Sequence, residues 1–132
     1  RDGASYFAWN WEPLIAAGIV ELFDDACEVV AGIRAEKAPG HNADMCVVTV
    51  DGGGDGANRA IFLADLVPTS AHVPIPWTMS YDLYPLQTLE SKRRWLPRLA
   101  EENWICVFEH DAANPLGRIV EEKPGRFAAV PV

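Results

Sequence analysis

Residues 45–68 read MCVVTVDGGGDGANRAIFLADLVP, and the fold turns on how they are parsed. Two β-branched and aliphatic runs, 45–50 (MCVVTV) and 59–63 (RAIFL), flank the loop DGGGDGAN, whose glycines and Asn58 tolerate positive φ. The stretch therefore reads as a hairpin with a long, mobile tip. Its second strand stops short of Asp65, which sits at a sharp strand-end turn.

Working outward, residues 17–23 (AGIVELF) and 27–37 (CEVVAGIRAEK) are further β-branched runs joined by Asp24-Asp25, and read as two consecutive strands in a hairpin. Residues 104–109 (WICVFE) read as a buried strand, and 117–122 with 126–130 as a last hairpin around Lys123-Pro124-Gly125. Between these, residues 68–85 hold four prolines among aromatic residues, which predicts an ordered, irregular loop. Leu86, Leu89, Leu96 and Leu99 then recur at helical spacing and predict one amphipathic helix. Pro97 interrupts it at a cost of about 3 kcal/mol in a regular interior, so a kink or break is expected there. Strand pairs first, then a helix, then more strands imply an α/β layered sheet that is mixed or mainly antiparallel.

A chain of 132 residues and 14.5 kDa, 49% hydrophobic, is large enough for one core. The formal charge of −8 argues against nucleic acid and anionic membrane as partners, which need a basic footprint. Cys27, Cys46 and Cys106 are odd in number and far apart, without a C-x-x-C pair, and read as reduced core residues. Neither a membrane-length apolar run nor a signal-peptide pattern is present, so a cytoplasmic protein is expected. The opening RDGASYFAWNW looks like mid-chain sequence, which predicts a further segment upstream.

Three polar residues share one placement, directly after a hydrophobic strand or at a strand-end turn: His41 in APGHNADM, Asp65 in FLADLVP and His110 in VFEHD. Imidazole and carboxylate are the usual zinc ligands, and one carboxylate can bridge two cations about 3.5–4 Å apart. Each residue alone has a plainer explanation, as a turn residue, a loop cap or a salt-bridge partner of Asp111; it is their joint arrangement that points to a metal site.

In this pattern the chain resembles the second half of the metallo-β-lactamase superfamily, through Pro39-Gly40-His41, Leu63-Ala64-Asp65 and Phe108-Glu109-His110-Asp111. The likeness is nearest to its lactonase-like and alkyl-hydrolase-like branches. The resemblance implies the C-terminal half of an αββα sandwich, with His41 completing one metal's ligands, Asp65 bridging both metals and His110 completing the other's. It further implies two divalent ions, zinc first with manganese or iron as alternatives, and a bridging hydroxide that attacks a lactone, ester or related small-molecule substrate. The family's H-x-H-x-D-H motif is absent, the only histidines being His41, His72 and His110. The resemblance thus implies that the chain alone lacks a complete, active site and associates with the missing N-terminal half or with a second copy of itself, as a homo-oligomer. After His41 the chain reads Asn42-Ala43-Asp44 where many members have Thr-Pro-Gly, which puts the subfamily in doubt.

In the proline-rich loop His72 and Tyr81 are candidate catalytic residues, Tyr81 as a hydrogen-bond donor to a substrate carbonyl or its oxyanion. Packing explains Tyr81 equally well, and Asp82 is placed to cap the following helix. Trp77, Met79 and Tyr84 are candidates for an apolar pocket. Asp51 and Asp55 lack EF-hand spacing. Two alternatives stay open: a non-catalytic interaction module of the same scaffold, and a thioesterase of the glyoxalase II type.

Overall fold

The computed structural model describes residues 6–53 and 58–132. The tip of the glycine loop, with Asp55, lies outside them. Seven strands form one mixed sheet in sequential order: β1 (Ala26–Val30), β2 (Ile33–Lys37), β3 (Cys46–Asp51), β4 (Arg59–Phe62), β5 (Ile105–Val107), β6 (Leu116–Lys123) and β7 (Arg126–Pro131). Every neighbouring pair is antiparallel except β4 and β5, which run parallel with Ala60 opposite Ile105 and Phe62 opposite Val107. A parallel pair needs a long crossover. The proline-rich loop and helix α2 (Pro85–Glu101) supply it.

The hairpins of β3 with β4 and β6 with β7 fall where the sequence puts them. The first hairpin does not. Residues 17–23 form no strand, and the run 27–37 is instead split at Gly32 into β1 and β2. Gly32 has φ +81, and a Cβ there would lie 2.7 Å from the Asp51 carbonyl oxygen, so only glycine makes this turn without strain. Residues 8–16, which the sequence did not mark, form α1 (Ala8–Ala16), closed by Gly18 at φ +69.

Helix α2 continues through Pro97, which lies on the exposed side, where water can take the carbonyl that proline leaves without a donor. Its buried face carries only the second half of the expected leucine stripe, Leu96 and Leu99. Thr88, Ser91, Lys92, Trp95, Leu96 and Leu99 are buried, whereas Leu86 is 76% exposed. Trp95, Leu96 and Leu99 press on Val47, Ile61, Cys106, Ile119 and Phe127, which all point to one side of the sheet, and this layer is the core.

Register places Val48, Phe62, Val107 and Leu116 side by side on the opposite face, with Val50, Val120 and Val130. None of these seven is buried, and Leu116 and Val130 are 43% and 47% exposed. One face of the sheet is thus covered and the other is apolar and open. Cys106 belongs to the covered face, where burial pushes its thiol up to about 12. Cys27 and Cys46 lie on the open face and are only half-buried, so two of the three cysteines are not core residues. Among the described residues no helix is long and apolar enough to cross a membrane.

Candidate metal centre

Asp65 and His110 are brought together by the parallel pair. Phe62 and Val107 are cross-strand partners at the ends of β4 and β5, and Asp65 and His110 each lie three residues further on. Ala64 precedes Asp65 at φ +47, a backbone conformation costing a non-glycine residue about 1–2 kcal/mol, which turns the chain sharply out of the strand. The His110 N–H donates to the Pro68 carbonyl at 3.0 Å. Asp111 accepts from the Ser70 N–H at 2.9 Å and the Ser70 hydroxyl at 2.5 Å. With the Asn114 N–H these donors hold the Asp111 carboxyl down to about 2. Asp111 therefore ties the turn carrying His110 to the loop after Asp65, leaving His110 free of the salt bridge to Asp111 that one reading of the sequence suggested.

His41 arrives from the turn after β2. Gly40, at φ +151, lies so close to Thr88 that a Cβ would collide with its backbone and side chain. The Ser91 hydroxyl donates to the Pro39 carbonyl at 2.7 Å, and the Tyr84 N–H to the Gly40 carbonyl at 2.9 Å. Asp82 completes the clamp. One carboxylate oxygen accepts from Thr88 Oγ1 at 2.9 Å and the other lies 3.1 Å from His41 Nδ1. A carboxylate only accepts, so Nδ1 carries the proton and Nε2 presents its lone pair to the cleft. Asp82 is thus not the backbone helix cap that the sequence suggested, since α2 has no side-chain cap. Its role was missed because its partners lie 41 residues upstream and 6 downstream.

The three strand-end residues converge. Asp65 Oδ2 stands 3.4 Å from His41 Nε2, and its other oxygen, Oδ1, stands 3.3 Å from His110 Nε2. Both distances exceed the 2.7–3.2 Å usual for an N–H···O hydrogen bond. All three residues line one cleft, and imidazole nitrogens beside a carboxylate are donors that suit a divalent cation.

Two clefts meet here. One, of about 520 Å³, is lined by His41, Asp65, His72, Met79, Tyr81 and His110 among others; a second, of about 1040 Å³, shares His41, Asp65 and Tyr81 and extends to Tyr6 and Cys46. Tyr81 is 64% exposed at the rim of both. His72 Nδ1 lies 2.7 Å from Thr69 Oγ1. Of the three apolar-pocket candidates only Met79 lines a cleft, while Trp77 and Tyr84 are exposed and line neither.

The loop is held from beneath by Lys92. Its ammonium is fully buried and donates to the carbonyls of His72, Pro74 and Trp77 at 2.5, 2.7 and 2.9 Å. Burial lowers its pKa to about 8, against the opposing pull of Asp82. This residue also escaped the sequence reading, because a lysine on a helix ordinarily marks the solvent side.

A sheet with one covered face, crossing parallel at its centre and carrying His41, Asp65 and His110 at its edge, has the fold of the metallo-β-lactamase superfamily hydrolases. In particular it matches a probable metal-dependent hydrolase from Staphylococcus aureus, with a TM-score of 0.73 and 25% identity over 88% of this chain and 41% of that one. It is similar as well to AidC, a dizinc quorum-quenching lactonase, with a TM-score of 0.71 and 20% identity over 88% of this chain and 39% of the other. The hydrolase AbOPH of the beta lactamase superfamily gives 0.70 and 15% over 92% and 41%. The chain therefore spans about two fifths of the length of these structures. No family model matches it, and no curated protein sequence matches it closely.

Proposed function

We propose that the chain is the C-terminal half of a two-metal hydrolase, acting on a lactone, ester or related bond, in which His41, Asp65 and His110 are metal ligands. One observation carries this reading: Asp65 divides its two oxygens between two histidines that come from separate turns, as a bridging carboxylate must. Two divalent ions held there, zinc first, would supply Lewis acidity and would lower the pKa of water into the neutral range. The chain's own residues do the rest. Asp82 holds the proton on His41 Nδ1, so that Nε2 is available as a ligand. Tyr81 stands at the rim, where its phenol can donate to a substrate carbonyl and to the oxygen as charge develops on it. The walls from residues 69–72 and 78–81 limit water and shape selectivity.

The remaining ligands, in this proposal, come from an N-terminal half of the same protein, packed on the open sheet face. The complete protein is expected to carry about two metal ions per site and to hydrolyse a lactone, ester or related bond. Asp65→Ala should remove most of the hydrolysis and most of the metal while near-native circular dichroism persists. Full activity with normal metal content in that variant would refute the assignment.

A further inference from the structure

Glu109 lies beside this centre and has no role in the scheme above. Its Oε1 stands 3.4 Å from His110 Nε2, and Asp65, Glu109 and His110 each offer a ligand atom within 4.8 Å of the other two. His41 does not belong to this trio, so the centre is lopsided: His41 faces one oxygen of Asp65, while His110 and Glu109 gather at the other. We propose, building on the metal-site reading, that Glu109 is a third ligand on the His110 side, and that this chain by itself holds one divalent cation through Asp65, Glu109 and His110.

The argument is one of charge and placement. Two carboxylates converge on one imidazole at 3.3 and 3.4 Å, too long for good hydrogen bonds. The turn that presents them is not free to move apart. Asp111 and the His110 N–H fasten it to Ser70 and Pro68, so Glu109 and His110 are delivered as neighbours to the space beside Asp65. One nitrogen and two carboxylate donors, with open positions left for water, suit zinc and manganese, and zinc binds the more tightly of the two at a given N/O site. The rival explanation is a protonated His110 bridging two carboxylates, which needs no metal.

Zinc titration of the 132-residue chain by calorimetry at pH 7.5 separates these outcomes. One site is expected in the wild type, weakened by about 10- to 100-fold or more in Glu109→Gln and in His110→Ala, and weakened less in His41→Ala. Glu109→Asp, which keeps the charge but shortens the arm, should fall between wild type and Glu109→Gln. Far-ultraviolet circular dichroism of each variant reports the fold. Equal affinity in Glu109→Gln, with binding still lost in Asp65→Ala and His41→Ala, would overturn the inference and leave the two-metal reading standing. Absence of zinc binding in the folded wild type would overturn the inference alone, because the two-metal reading is tested on the complete protein. Binding that no substitution at Asp65, His110 or His41 disturbs would overturn both.

Discussion

Replacing Lys92 by methionine tests whether a buried ammonium organises the wall of the metal cleft. The side chain keeps its length and apolar stem, so packing against the core is largely preserved, and what is lost is three charge-assisted hydrogen bonds to the carbonyls of His72, Pro74 and Trp77. Bonds of this type contribute roughly 1.5–3 kcal/mol each. The opposing effect is relief of desolvation: a pKa lowered from 10.5 to about 8 disfavours the charged form by about 3 kcal/mol. The bonds win, and the variant should lose about 2–5 kcal/mol of stability, less where water enters to reach the carbonyls. Urea unfolding gives the total. Hydrogen exchange should show faster opening of residues 70–82, with β3 and β4 little changed. A Lys92→Met protein as stable as wild type, with unaltered exchange in that segment, would refute the reasoning. The pH dependence has a definite sign. Since the folded pKa lies below the unfolded one, the unfolded chain binds more protons between pH 8 and 10.5, so wild-type stability should rise with pH across that window relative to Lys92→Met.

Two further outcomes are expected. Asp82→Asn replaces a group that can only accept beside His41 Nδ1 with an amide that can accept or donate there, so the proton is no longer held on Nδ1; metal affinity of the complete protein should fall by about 10- to 100-fold, and an unchanged affinity would sink the tautomer argument. The open sheet face, with Val48, Phe62, Val107 and Leu116 in a row, should drive the isolated chain to self-associate at micromolar concentration, and sedimentation showing a stable 14.5 kDa monomer would contradict the need for a covering layer.

What was legible in the sequence was whatever depends on local pattern. The strands around the glycine loop and the Pro124-Gly125 turn could be read because alternation and turn residues act over a few positions. The convergence of His41, Asp65 and His110 could be read because each follows a strand and strand ends share an edge. Residues 17–23 were misread because β-branching favours a strand only where a neighbour exists to pair with, and Ile19 and Leu22 instead stand 71% and 85% exposed. The inner face of α2 was read correctly at Leu96 and Leu99 and misread before them, for the opposite reason. Its first half is buried through Thr88, Ser91 and Lys92, polar groups whose partners are the backbone of Pro39 and of the proline-rich loop and the carboxylate of Asp82, and no periodicity of leucines reports such contacts. Asp82 was read as a helix cap and Glu109 was given no role, because their relevance lies in distances to groups that only the folded chain assembles.

The parallel pairing of β4 and β5 separates two kinds of variation. Asp65 and His110 each follow by three residues a member of the cross-strand pair Phe62 and Val107, so the interstrand repeat sets where their two turns begin. Pro68 and Ser70 then fasten the turn carrying His110, and the chain from Ala71 to Asn103 is a detour that departs and returns between the two strands. Insertions or exchanges in this detour can therefore recast the pocket wall while the metal-facing pair keeps its geometry. Transplanting residues 73–80 between proteins of this fold is accordingly a route to new selectivity that leaves Tyr81 and the metal-facing residues in place.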